Sequence, residues 1–292
     1  MEAPTPPQTS AGRKPVLDDR AFEQIAAIAH KEAGLAISPN KAAMVHTRVA
    51  RRLRALNMST YDQYCALVAS DAGAAERREL VSVLTTNVSH FFREEHHFDR
   101  LKEDVLPDLF QKMKAGNRVR IWSAGCSNGQ EPYSIAMAIL DFAPLPPNAD
   151  IKILGSDIDP NVISFARSGT YDQSMVSGLP DRQKDTYFNP VSLKHGPAWQ
   201  AQASLKDLVA FRELNLLHSW PMKGTFDVIF CRNVVIYFDE QTQAALWKKF
   251  ADILAPGGWL FLGHSERVSE EHLTALPPVG MTTYRRAPIP ER

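Results

Sequence analysis

Apolar positions fall into two regimes along the chain. From Asp18 to about Thr86 they recur at helical spacing: Phe22, Ile25, Ile28 and Ala29 form a first stripe, opened by Asp18 as an N-cap and stopped by Gly34. A second helix is expected from Ser38, its cap, with Pro39 in the first turn and Val45, Val49, Leu53 and Leu56 on one face. Shorter helices are expected from Tyr61 to Val68 and from Glu76 to Leu84. After Lys114 the period changes. The segments V-R-I-W-S (Val119 to Ser123), I-K-I-L-G-S (Ile151 to Ser156), F-D-V-I-F-C (Phe226 to Cys231) and W-L-F-L-G (Trp259 to Gly263) read as short buried strands, with helical stretches between most of them. That alternation predicts an α/β fold with a parallel, doubly wound sheet and right-handed crossovers.

The seam between the regimes falls near residues 87–115. We set a disordered, proline-rich lead at 1–17, an all-α domain at 18–90 and the α/β domain at 91–292. Tyr171 to Phe211 breaks the alternation, with Gly178, Pro180, Pro190, Gly196 and Pro197 in a stretch of no clean period. It is expected to be an insertion carrying a small β element.

With 292 residues and 44% hydrophobic content, the chain can bury a core for each domain. Basic and acidic residues both number 33, so global charge selects no partner and any signal must be local. One such signal is present: Lys41, Arg48, Arg51, Arg52 and Arg54 crowd the second helix. Without interleaved aromatics they do not form a nucleic-acid surface. Cys65, Cys126 and Cys231 are widely spaced, which fits a reduced cytoplasmic protein, and Cys126 is expected to be a small buried filler. No apolar run reaches the ~20 residues of a membrane helix, and no signal peptide or membrane insertion is expected.

Candidate chemistry concentrates where strands end. The first strand runs into A-G-C-S-N-G-Q-E-P-Y-S, where Gly125 and Gly129 let backbone approach a ligand at the carboxyl edge of the sheet. Glu131 then stands where a pyrophosphate would need a helix N-terminus free of negative charge. A cofactor with a positive centre suits that carboxylate better. Asp157, just past the second strand, can accept hydrogen bonds from both ribose hydroxyls. Asp159 reads as a helix cap, and His96 and His97 as structural or exposed side chains, with no third metal ligand evident.

In order along the chain, T-T-N-V-S-H-F-F-R-E, W-S-A-G-C-S-N-G-Q-E-P-Y-S, S-D-I-D-P, L-N-L-L and F-C-R-N-V-V-I-Y-F resemble the motifs of the chemotaxis-receptor glutamate methyltransferases, the CheR family. Ser89 and Gln130 depart from the threonine and glutamate common in relatives, and the insertion departs most. The resemblance implies a Rossmann-like class I S-adenosylmethionine methyltransferase domain behind an all-α domain. It implies cofactor contacts from Asn87, Ser89, Arg93, Gly125, Glu131, Asp157, Asn215, Leu216, Arg232 and Asn233, with S-adenosylhomocysteine as product. No D-P-P-Y or N-P-P-Y loop of the amino methyltransferases is present; Arg232 and Asn233 occupy that place.

The implied reaction methylates glutamate carboxylates of chemoreceptors. A carboxylate is already ionised near neutrality, so no general base is needed, and Arg93 and Tyr237 are expected to orient the acceptor. Arg48, Arg51, Arg52 and Arg54 are expected to dock the acidic receptor. The enzyme is expected to work as a monomer in the cytoplasm, recruited to receptor arrays.

Overall fold

The structure is a computed structural model describing residues 15–194 and 196–288. The lead expected at 1–17 lies outside the described residues except for its last three. The chain divides into two compact units, one ending at Leu84 and one starting at Thr85.

The first unit is all helical: α1 (Asp19–Ala33), α2 (Ala42–Ala55), α3 (Tyr61–Ala69) and α4 (Ala74–Leu84). Asp18 caps α1 by accepting from the Ala21 N–H at 2.8 Å, and Gly34 ends it in the left-handed conformation, φ +69°. The second helix departs from expectation at its start. Ser38 makes no capping bond; its Oγ faces Asn40 Oδ1 at 2.5 Å, and a 3₁₀ turn over Pro39–Lys41 precedes α2. Val45, Val49 and Leu53 are fully buried as the stripe requires.

The basic face of α2 is narrower than its composition suggests. The Arg52 guanidinium is paired with Glu76 at 2.6 Å and Glu79 at 3.1 Å, and Tyr64 donates its hydroxyl to Glu76 at 2.9 Å. Arg48 donates to the Val83 and Leu84 carbonyls, at 3.1 and 2.9 Å, closing the free end of α4. Arg51 and Arg54 remain exposed.

The second unit opens with α5 (Glu95–Arg100), a π turn over Leu101–Val105, and α6 (Leu106–Lys114). There follow β1 (Val119–Ala124), α7 (Gln130–Phe142), β2 (Ile151–Asp157) and α8 (Pro160–Ser168). The insertion holds β3 (Thr170–Asp172), α9 (Asp181–Tyr187), β4 (Phe188–Leu193), β5 (Gly196–Ala201) and α10 (Ala203–Lys206). The chain then gives β6 (Val209–Glu213), β7 (Phe226–Cys231), α11 (Glu240–Ile253), β8 (Leu254–Leu262), β9 (Pro278–Gly280) and β10 (Thr283–Arg285).

The main sheet runs β6-β2-β1-β7-β8-β10-β9, parallel from β6 to β8 and antiparallel at β10 and β9. This is the expected doubly wound sheet. The insertion forms the small antiparallel sheet β3-β5-β4, and β6, at the end of the irregular stretch, belongs to the main sheet. Alternation of side chains along each strand sends Ile121, Val228 and Phe230 into one core and Trp122, Ile229 and Cys231 into the other. The strand W-L-F-L-G starts earlier than expected: α11 stops at Ile253, and Leu254 already pairs with Phe226, so Gly257 and Gly258 lie within β8.

Because β1 and β7 are neighbours while the chain leaves them in opposite directions across the sheet, their carboxyl ends form the switch point where ligands of open α/β sheets bind. Among the described residues no helix is long and apolar enough to cross a membrane.

Removal of the buried Glu76 carboxylate strands both Arg52 and the Tyr64 hydroxyl. Glu76→Ala should therefore cost about 2–4 kcal/mol of stability, while Arg51→Ala should stay within about 0.5 kcal/mol; chemical denaturation of the two variants separates them.

Candidate functional site

At the β1 end the chain turns sharply: Gly125 (φ +81°), Ser127 (φ +50°) and Gly129 (φ +85°) are all left-handed. A Cβ on Gly125 would overlap the Val234 side chain, so only glycine lets this loop lie against the one after β7. The N–H groups of Gly125 and Cys126 both bond the Ser156 carbonyl at 2.8 Å. Cys126 is buried, and burial pushes its thiol well up, as a filler requires.

Asp157 organises the next turn. Its carboxylate accepts from the Ser127 N–H at 2.8 Å and the Asp159 N–H at 3.1 Å, and burial holds it up at about 6 against these bonds. Asp159 caps α8 through the Asn161 N–H at 2.9 Å, as its position suggested, and accepts from Asn87 Nδ2 at 3.0 Å. The Asn87 carbonyl in turn accepts from Ser127 Oγ at 3.0 Å. Ser89 lies half-buried in the same loop. The Leu214 N–H bonds the Asp157 carbonyl at 2.8 Å, which brings Asn215 and the buried Leu216 to the same edge.

At the β7 end stands Arg232, whose side chain is 1% exposed. It pairs with Glu131 at 3.0 Å and Glu94 at 3.3 Å and donates to the Arg93 carbonyl. Ser123 donates its hydroxyl to Glu131 at 2.7 Å. The guanidinium is thus enclosed by its partners and works through them. Arg93 directs its own side chain to the Val88 carbonyl, 2.8 Å away.

Two acidic residues escaped the sequence reading. Glu94, itself left-handed at φ +55°, gathers Arg232, Asn233 Nδ2 (3.4 Å) and the His264 N–H (3.3 Å). Burial opposes its charge, but the guanidinium and the His264 bonds win and pull the carboxyl down to about 2. Glu266, 2% exposed, accepts from four backbone N–H groups: Gly263 at 2.5 Å, Asn233 at 2.9 Å, Val234 at 2.8 Å and Val235 at 2.9 Å. It pins the loop after β7 to the loop after β8 and holds Asn233 in its left-handed conformation, φ +59°. Only Glu266 carried a positional signal, as an acidic residue shortly after a strand's carboxyl end; Glu94 precedes α5 and carried none.

Glu94 also supplies what His96 and His97 lacked, since the three bring ligand-type atoms within 4.8 Å of one another. The Arg232 charge on the same carboxylate opposes a metal cation there. His97 is fully buried against Thr282 at 2.9 Å, and burial with the Arg232 charge lowers its imidazole to about 3.

Three carboxylates, those of Asp157, Glu131 and Glu94, therefore surround the switch point with one enclosed guanidinium. Asn233 Oδ1 is buried there with no partner among the described residues. An acceptor-rich, net negative edge fits a cationic adenosyl cofactor with an ammonium tail and suits a pyrophosphate poorly.

Residues 20–85 match the family model for the CheR methyltransferase all-alpha domain, and residues 87–285 match that for the CheR methyltransferase SAM binding domain. The chain belongs to the CheR methyltransferase family. A probable chemotaxis protein methyltransferase from Rhizobium etli is 48% identical over 256 residues, covering 88% of this chain and 96% of that one. The chemotaxis protein methyltransferase of Salmonella typhimurium is 37% identical, covering 87% and 85%. Chemotaxis protein methyltransferase 2 of Pseudomonas aeruginosa is also 37% identical, covering 91% and 92%. This CheR-family chain is thus a chemotaxis methyltransferase that uses S-adenosylmethionine, consistent with the donors and acceptors at the switch point.

The Glu266 anchor can be tested directly. Glu266→Gln turns an amide NH₂ against at least two of the four N–H donors, which should cost about 2–4 kcal/mol and lower turnover. Thermal melting and methyl-transfer assays check both, and a variant with full stability would show that the anchor is dispensable.

Proposed function

We propose that this chain transfers a methyl group to glutamate side chains in the cytoplasmic methylation region of chemoreceptors, acting as a protein-glutamate O-methyltransferase in chemosensory adaptation. The observation that carries the reading is the placement of two donors, Arg93 and Tyr237, on segments tied to one buried residue. Arg232 holds the Arg93 carbonyl, and Tyr237 closes the 3₁₀ turn Val235–Tyr237 a few residues further on. The names and extent of the relatives support the same reading.

When bound, S-adenosylmethionine would supply a methyl group on its sulfonium, with the carbon–sulfur bond lost as a carbon–oxygen bond to the glutamate is gained, so that the products would be S-adenosylhomocysteine and a glutamyl methyl ester. The acceptor is already an anion, so the residues have only to align and dehydrate it. Arg93 and Tyr237 donate to its oxygens without taking a proton. Asp157 would accept from the ribose hydroxyls, with Asn87, Ser89, Gly125, Asn215 and Leu216 to line the cofactor, and Glu131 and Asn233 would hold its amino-acid end. Arg232 acts by fixing Glu131 and Glu94. Of the basic helix, Arg51 and Arg54 are free of the pairings that hold Arg48 and Arg52, and they are assigned to docking the acidic receptor.

The protein mixed with radiolabelled S-adenosylmethionine and receptor-bearing membranes should place base-labile label on the receptor band. Tyr237→Phe should lower that turnover by at least ~10-fold, the scale of about 1.4 kcal/mol, while leaving cofactor affinity intact. Label stable to mild base would exclude an ester, and full turnover in the variant would remove Tyr237 from the mechanism.

The Asp157 carboxyl gives a second test. Held up at about 6, it takes up a proton below that pH and loses acceptor capacity. Cofactor affinity should accordingly fall from pH 7.5 to pH 5, by up to about tenfold per unit below its pKa. Asp157→Asn should bind weakly with a flat profile; calorimetric titration across the range decides it, and a wild-type profile that is flat below pH 6 would show that Asp157 does not serve the ribose.

A further inference from the structure

Lys249 has no part in the site described above, yet its side chain is fully committed. From α11, its Nζ donates to the Leu216 carbonyl at 2.6 Å and the His218 carbonyl at 2.8 Å. The same ammonium lies 4.1 Å from the centre of the Trp220 ring, close enough for a strong cation–π contact. Trp220 Nε1 returns to the Leu216 carbonyl at 3.2 Å, and the ring is wedged edge-on to Trp122 at 4.8 Å and beside Phe250 at 5.3 Å. Burial draws the ammonium down to about 8.

What Lys249 holds is the segment Asn215 to Trp220. That segment follows β6 at the carboxyl edge and starts one residue after Leu214, whose N–H is bonded to the Asp157 carbonyl at 2.8 Å. It has little regular structure of its own: the Asn215 side chain accepts from the Leu217 N–H at 2.9 Å, and the His218 N–H bonds the Asn215 carbonyl at 3.2 Å. Two of its carbonyls, those of Leu216 and His218, point to Lys249.

We propose that Lys249 is a positioning residue for the cofactor: by clamping the Leu216 and His218 carbonyls and the Trp220 ring, it keeps the loop after β6 in the shape that receives S-adenosylmethionine. The clamp acts on binding and has no contact with the transferred group. The inference rests on the assignment of Asn215 and Leu216 to the cofactor, and it is independent of which carboxylate is methylated.

Lys249→Met keeps the length and apolar stem of the side chain but removes the charge and all three donors; Lys249→Arg restores charge and donors. Calorimetry on the full-length protein should show S-adenosylmethionine binding weakened about tenfold in Lys249→Met. The KM for the cofactor should rise in parallel, with kcat at saturation within about twofold, and the amides from Leu216 to Trp220 should exchange faster. Lys249→Arg should recover affinity to within about threefold. Cofactor affinity within twofold of wild type in Lys249→Met overturns the proposal, whether or not melting falls. So does equal loss of kcat and affinity, which would mark general damage. Because affinity and exchange are read without receptor, a failure to label any receptor would count against the methyl acceptor and leave this test standing.

Discussion

The site depends on a cation that has been taken out of water. Moving a guanidinium into a protein interior costs several kcal/mol unless it is paired and hydrogen-bonded, and Arg232 finds Glu131, Glu94 and the Arg93 carbonyl for its two terminal nitrogens, while its Nε is buried without a partner among the described residues. Those three partners come from two places: Glu131 from the first turn of α7, and Arg93 and Glu94 from the turn that precedes α5. One buried charge thus fixes the end of β7 against the end of β1 and against the segment carrying Arg93. The adjacent position of β1 and β7 at the switch point makes such a bridge reachable.

Backbone strain near this cation is held in place by fixed side-chain acceptors. Phe92, Glu94, Ser127 and Asn233 all adopt positive φ without being glycine, each at a cost of order 1–3 kcal/mol. The Phe92 N–H is taken by Ser134 Oγ at 2.9 Å, and the Ser127 N–H by Asp157 at 2.8 Å. Around Asn233 the same service comes from Glu266, whose carboxylate has enough lone pairs for four N–H groups. Burial pushes the Glu266 carboxyl up, while these bonds pull it down. Carboxylates placed where backbone donors converge allow the loops at the sheet edge to take shapes that regular structure would not supply.

Features governed by local chemistry were legible in the sequence. The runs of β1, β2 and β7 are mostly apolar because the strands are covered on both faces, and Asp18 and Asp159 cap helices as their positions announced. The sharp turn after β1 was legible through its glycines. What stayed hidden depends on partners distant in sequence. β6 is short and mixed in polarity, and its membership of the sheet comes from pairing with β2. Arg52 looked like one more surface charge until Glu76, 24 residues on, was folded against it. Glu94 and Glu266 carry no periodic signal, because their roles come from convergence of donors rather than from spacing. The strand expected from Trp259 begins earlier, because α11 ends at Ile253 and Leu254 already takes up pairing with Phe226.

If the acceptor is a glutamate carboxylate, as proposed, the charge layout also reconciles two demands that conflict. A sulfonium cofactor is favoured by negative charge, whereas an anionic acceptor is repelled by it, and both must approach one point at the sheet edge. Asp157, Glu131 and Glu94 alone would favour the first and oppose the second. Arg232 offsets one of these charges from within, so the edge stays an acceptor for the cofactor without becoming a strong barrier to a carboxylate. Because it is enclosed, Arg232 cannot reach out to form the tight ion pair with the acceptor that would stabilise the ground state and slow transfer. On that proposal the acceptor would be left to Arg93 and Tyr237, both more exposed than Arg232, which would align it while leaving its lone pair free for the methyl group.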